Sequence, residues 1–186
     1  MNTEQLRTGL ETLGVRGQVL PHDQFDCSWF DYATNSANAD TRAYILNTGA
    51  SGTPGEHWVC FYVFPFHIEF FDSYGQPPTL YFPEFRYPKP IEYSRMCVQG
   101  LESSYCGHHV LYYLDQRQRR IGCLKDMERC YDRNLLHFND RHVSRYCRTR
   151  FCAVYATRCR ELGRGDQCCQ PCATNAAKYG IHFVPP

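Results

Sequence analysis

Four residues of this chain carry side chains that together could cleave an acyl bond. Cys106 is a soft nucleophile, His57 a base with a pKa near neutrality, Asp72 a carboxylate able to orient that base, and Gln99 an amide donor seven residues before the cysteine. A nucleophilic thiol needs a base to take its proton and a third group to hold the base in place. A developing oxyanion needs N–H donors, which the Gln99 side chain and the Cys106 backbone could supply. Each residue alone has a plainer reading: a small buried hydrophobe at a helix start, a structural strand histidine, the first residue of a DSYG turn, a loop amide. The set is worth more than its members only if the elements around them bring them together.

From Cys106 onward the pattern is helical, with Cys106, His109, Val110, Tyr113 and Leu114 on one face. Ser103 or Ser104 is positioned to cap this helix, which is expected to end near Arg117. That places Cys106 in the first turn, where free N–H groups and the positive end of the helix dipole favour a thiolate. Residues 57–64, HWVCFYVF, are apolar on both faces, as in a central strand. Residues 67–72, HIEFFD, return from a break at Pro65. A hairpin centred on Phe64–Pro65 pairs Tyr62 with His67, Cys60 with Glu69, and His57 with Asp72. Directly opposed side chains share a face with Cβ atoms about 4.5–5.5 Å apart, whereas a one-residue bulge would put them on opposite faces.

Elsewhere, Asn2 and Gln5 form a capping-box pattern ahead of Leu6, Leu10 and Leu13, and Gly14 ends that helix. Residues 21–40 read as a loop anchored by Phe25, Trp29, Phe30 and Tyr32. Arg42–Asn47 and Ile91–Val98 read as strands, separated from each other by the hairpin and a proline-rich stretch along the surface. Helices are expected over Lys125–Asn134 and Asn139–Leu162. In the second, Val143, Cys147, Phe151, Val154 and Leu162 form an apolar stripe beside Arg141, Arg145 and Arg148. The expected class is α+β: a mixed, mostly antiparallel central sheet, the Cys106 helix packed on it, and further C-terminal helices. A single domain spans 1–186, with a catalytic core at about 40–115 and a helical, basic, Cys-rich part at about 117–186.

The net charge of +1 hides an asymmetry. Residues 1–85 hold three Lys/Arg against ten Asp/Glu, whereas residues 117–164 hold thirteen against five, which suggests two kinds of partner. No secretory signal pattern is visible at the N-terminus. The longest apolar run, Trp58–Phe66, is about half of what a bilayer crossing needs. A soluble, non-exported protein is expected, without membrane partners and with most of its twelve cysteines reduced.

The stretches GEHWVCFYVFP, FFDSYG and VQGLESSYCGHH resemble the adenovirus maturation proteases, the adenain family, and more distantly the cysteine proteases that process ubiquitin-like proteins. The resemblance lies in the order His, acid, Gln, Cys, in the His–Trp step, in the aromatic–glycine pair after the acid and in the Q-G-x₅-C-G spacing. It covers roughly residues 40–115. It implies a thiol endopeptidase cutting viral precursor proteins at glycine-containing sites during virion maturation, in the host nucleus and the particle. Cys106 would be the nucleophile, His57 the general base, Asp72 the orienting carboxylate, and Gln99 with Cys106 the oxyanion site. Trp58 would wall the substrate groove and stack on the imidazolium. No cofactor is required for that chemistry.

The resemblance also implies activation by DNA and by a disulfide-linked viral peptide. The basic 117–164 region suits the DNA. The peptide's cysteine partner has no counterpart here, since Cys97, nine residues before Cys106, is merely the nearest. Cys147, Cys152, Cys159, Cys168, Cys169 and Cys172 have no counterpart either, and zinc, disulfides and free thiols all remain open for them. Zinc is disfavoured because only Cys169 and Cys172 have the short spacing it prefers, with His137 and His142 as further candidate ligands. His108 and His109 are expected to face solvent or pack on the sheet. Two other functions compete: a deconjugating protease for ubiquitin-like modifiers, and a non-enzymatic Cys-rich nucleic-acid or zinc module on residues 117–172.

Overall fold

A computed structural model describes residues 1–32, 41–119 and 124–161. The chain forms an α+β fold around one five-stranded mixed sheet in the order β1-β2-β3-β4-β5. The strands are β1 (Gly17–Pro21), β2 (Arg42–Asn47), β3 (Trp58–Val63), β4 (Ile68–Phe71) and β5 (Ile91–Tyr93). The central pairings, β2–β3 and β3–β4, are antiparallel, and the edge pairings, β1–β2 and β4–β5, are parallel. All six residues of β3 are buried, as its two-sided apolar sequence requires. Trp58, Cys60 and Tyr62 face one hydrophobic cluster, while Val59, Phe61 and Val63 face another.

The first cluster joins the sheet to three helices: α1 (Thr3–Leu13), α4 (Cys106–Gln118) and α6 (Leu136–Glu161). The capping box of α1 forms as expected, with Asn2 and Gln5 exchanging bonds and Gly14 closing the helix at φ 66°. The apolar stripe of α6 is buried at Val143, Cys147 and Phe151, but Val154 is exposed. Leu162, Cys168, Cys169 and Cys172 lie outside the described residues. The second cluster is built from aromatic rings. Phe25 and Phe30 come from the segment around the short helix α2 (Trp29–Tyr32), and Phe82 and Phe85 from the proline-rich stretch. That stretch contains a short helix, α3 (Pro78–Tyr81), and its phenylalanines are buried against Phe61, so it closes a core rather than lying along the surface.

Three local expectations are corrected. The hairpin turn is centred on Pro65–Phe66, so Cys60 pairs with Phe71 and Tyr62 with Glu69. Phe64 N–H closes the turn on the His67 carbonyl at 2.9 Å, and Phe66, 87% exposed, takes the outer corner. The fifth strand stops at Tyr93, since the chain from Ser94 leaves the sheet edge: the Ser94 hydroxyl turns to Glu128 and accepts from Met96 N–H. Helix α5 spans Leu124–Glu128 only. The Asp132 carboxylate takes the N–H groups of Asn134 and Leu135 in a turn that leads into α6 instead.

The carboxylate of Glu69, 1% exposed, ties α4 to β4. It accepts from Tyr113 Oη at 2.7 Å and from Arg117 Nε and a terminal Arg117 nitrogen at 2.8 and 2.7 Å. Removing one partner of such a pair leaves the other charge buried, which costs far more than exchanging both for apolar groups. Glu69→Ala is therefore expected to lower unfolding free energy by about 3–5 kcal/mol in urea titration, and the triple change Glu69→Leu, Tyr113→Phe, Arg117→Met to recover most of it.

Candidate active site

His57 ends the loop before β3, and Asp72 follows the last residue of β4, so both stand at the same end of the central hairpin. The observed register, extended to those ends, sets His57 opposite Tyr74 and Asp72 one diagonal step away. A shift of two residues from the expected pairing preserves which face each side chain takes. His57 Nε2 and Asp72 Oδ1 are 2.6 Å apart, and both residues are buried. Asp72 also accepts from Tyr74 N–H at 3.0 Å, Gln76 N–H at 2.8 Å and the Tyr81 hydroxyl at 3.2 Å. This tight turn needs Gly75 at φ 71°, where a Cβ would also fall 2.8 Å from the Arg95 and Met96 backbone.

The thiol of Cys106, the first residue of α4, lies close enough to His57 for each group to shift the other's ionisation. With Nε2 engaged by Asp72, Nδ1 is the ring nitrogen left for the sulfur. Burial opposes charge on both groups, yet their mutual attraction prevails. Bonds to Asp72 and Cys106 raise the His57 pKa to about 9, and His57 with the Trp58 backbone N–H lowers that of Cys106. Burial pushes the thiols of Cys27, Cys60 and Cys97 the other way.

The cap expected from Ser103 or Ser104 is absent: Tyr105 precedes the helix and no side chain caps it. Ser103 belongs to the preceding loop, with its N–H on the Gly100 carbonyl at 3.0 Å and its own carbonyl accepting from Gln99 Nε2 at 2.8 Å. No capping side chain competes for the first-turn N–H groups around Cys106.

Gln99 is 1% exposed and held on all sides. Ser73 Oγ donates to its Oε1 at 2.6 Å, which orients the amide so that Nε2 faces Ser103 and the Tyr74 hydroxyl, the latter at 3.2 Å. The Tyr74 ring lies 4.6 Å from that of His57 and so links the dyad to Gln99.

Trp58 does not stack on the imidazole. Opening β3, it points with Cys60 and Tyr62 into the helix-side core, and its indole N–H donates to the Met1 carbonyl at 3.1 Å. Tyr74 and Tyr81 face His57 instead. His108 and His109 are buried within α4 rather than turned to solvent, and His109 Nε2 meets Asp140 Oδ1 of α6 at 2.8 Å. Sequence reasoning gave no site role to Ser73, Tyr81, Asn139 or Asp140, and it saw Tyr74 only as part of the aromatic–glycine pair after the acid. Among the described residues, no group of three or more His, Cys, Asp or Glu is arranged to hold a metal ion, and no helix is long and apolar enough to cross a membrane.

A lowered thiol pKa beside a raised imidazole pKa means that the reactive ion pair is filled below the pH at which a free thiol ionises and is lost as pH rises toward 9, where His57 deprotonates. Iodoacetamide should therefore alkylate Cys106 faster at pH 6 than it alkylates a free cysteine peptide, and His57→Ala should return Cys106 to ordinary thiol behaviour. Mass mapping of the labelled cysteine checks both.

Compared with known protein families and with curated proteins, the chain matches no family and no curated sequence.

Proposed function

We propose that this chain is a cysteine endopeptidase. The observation that carries the reading is the buried His57–Asp72 contact of 2.6 Å beside a thiol at the start of a helix. His57 takes the Cys106 proton, and the thiolate attacks the scissile carbonyl carbon. Negative charge developing on the carbonyl oxygen meets the Cys106 N–H and the Gln99 N–H that gives up its longer bond, 3.2 Å to the Tyr74 hydroxyl, for the oxyanion. The imidazolium then protonates the departing amine, leaving a thioester on Cys106. Water attacks that thioester with His57 again as base, releasing the acid and restoring the thiol.

Substrate choice follows from the adenain resemblance of the stretches around His57, Asp72 and Cys106: viral precursor proteins, cut next to glycine during virion maturation. Tyr74 and Tyr81 standing against His57 give that preference a physical sense, since a backbone without Cβ passes most easily between aromatic walls. The exposed guanidiniums of Arg141 and Arg145 on α6 suit DNA as a partner, with an affinity that falls steeply with salt.

The test is hydrolysis of peptides with internal glycine sites, beside a probe carrying a ubiquitin-like modifier's C-terminus. Cys106→Ala and His57→Ala are expected to abolish cleavage. Asp72→Asn should leave activity lowered on the order of 10²-fold, as an orienting rather than reacting group would. An active Cys106→Ala protein sinks the proposal, and turnover of the modifier probe alone would make the chain a deconjugating enzyme.

A further inference from the structure

The segment Val98–Gln99–Gly100 belongs to no strand or helix, so each of its backbone groups needs a partner from elsewhere. On one side the Ser73 carbonyl accepts from Val98 N–H at 2.8 Å and from Gln99 N–H at 3.1 Å. On the other side stand two consecutive residues of α6. Asn139 Nδ2 donates to the Val98 carbonyl at 3.1 Å, and Asp140 Oδ2 accepts from Gly100 N–H at 3.1 Å. The two bonds bracket Gln99 from both flanks. Asp140 is in turn held by His109 of α4, three residues beyond the nucleophile. His109, Asn139 and Asp140 are 0%, 2% and 5% exposed, so three polar side chains have been removed from water at one point. The fit is close: a Cβ at Gly100 would sit 2.9 Å from Asp140 Oδ2.

We infer that Asp140, backed by His109 and assisted by Asn139, is a positioning residue that fixes the Gln99 loop against the nucleophile helix. The inference rests on the peptidase reading, in which Gln99 is an oxyanion donor. It gives the C-terminal helix a part in catalysis through the placement of Gln99. Ser73 sets the rotation of the Gln99 amide, and the α6 pair sets where the loop's backbone stands relative to Cys106. Nucleophile generation is separate from this brace, because His57, Asp72 and the Cys106 sulfur take no bond from Asn139 or Asp140 among those described.

That separation supplies the test. Asp140→Leu removes the acceptor for Gly100 N–H and the partner of His109. Asp140→Asn retains a carbonyl oxygen for Gly100 and offers an N–H₂ to a neutral His109. Gly100→Ala disturbs the same contact from the loop side, without touching α6, and serves if the leucine variant does not fold. With a glycine-site peptide, Asp140→Leu and Gly100→Ala should lower kcat roughly 10- to 100-fold, as a small misplacement of a catalytic donor does. KM should change by no more than about twofold, since the lost interaction is made in the transition state. A peptide aldehyde ending in glycinal, whose adduct with Cys106 carries an oxyanion, should bind more weakly by a similar factor. Alkylation of Cys106 by iodoacetamide, which has no oxyanion, should proceed at the wild-type rate, and Asp140→Asn should restore turnover. The brace is overturned if kcat is unchanged in Asp140→Leu and Gly100→Ala, or if alkylation falls in step with turnover, which is the mark of general damage. A wild-type protein inert toward every peptide would sink the peptidase reading and the brace with it, a result distinct from both of these.

Discussion

The structure depends on a carboxylate taken out of water and fully occupied there. Asp72 is 1% exposed and accepts from an imidazole, two backbone N–H groups and a phenol, so its desolvation is offset bond by bond. Those bonds come from the turn that Gly75 permits and from α3, and they leave Asp72 one direction in which to act, toward His57. An imidazole held this way resists rotation and favours its protonated form, even though burial alone would neutralise it. The polarity of Cys106 follows from that, with the helix start adding to it. Removed from this setting, the same thiol would resemble Cys60, whose burial among apolar neighbours drives its pKa up.

Helix α4 is secured at points that do not share partners. Toward its C-terminal end, Tyr113 and Arg117 clasp Glu69 beneath the sheet, while Asp115 takes the Tyr146 hydroxyl of α6 and the side chain of Arg119. Nearer its start, His109 holds Asp140. Between these, Val110, Leu111 and Leu114 are fully buried against the sheet and α1. Packing alone holds such a helix less tightly along its axis than the directional bonds to Glu69 and Tyr146 do, and these define where its first residue stands. The proposed role of Cys106 calls for such placement, because reactivity depends on distances finer than a hydrophobic contact enforces.

What could be read from the chain beforehand divides along the range of the interaction. The capping box at Asn2 and Gln5, the stop at Gly14 and the strand Arg42–Asn47 are decided by neighbours within a few positions, and all stand as expected. The meeting of His57 with Asp72 was also legible, although its register was set two residues away from the true one. It survived because side-chain direction repeats every second residue: a displacement of two moves a partner along the strand but not through the sheet. The serine cap failed inside its own loop: the Ser103 carbonyl accepts from Gln99, four residues earlier, and Tyr105 takes the capping position. Strand β1 was missed because a parallel edge strand is defined by a partner more than twenty residues away. His109–Asp140, thirty-one residues apart on different helices, left no periodic signal at all.

The charge asymmetry takes on a different meaning once burial is known. Counted along the sequence, residues 1–85 look like an acidic surface, yet Glu69 and Asp72 are 1% exposed and committed to internal partners. Their charge contributes little to the field outside the protein, because the cations they face lie within bonding distance. In the basic half, Asp140 is likewise internal, while Arg141 and Arg145, one and five residues further along α6, are exposed. The outward potential of that helix is therefore more positive than its composition suggests, and the acidic surface of the first half is weaker. A polyanion approaching the molecule would meet α6 near the turn that carries Asn139 and Asp140. The basic surface and the support of the Gln99 loop are thus carried by one helix.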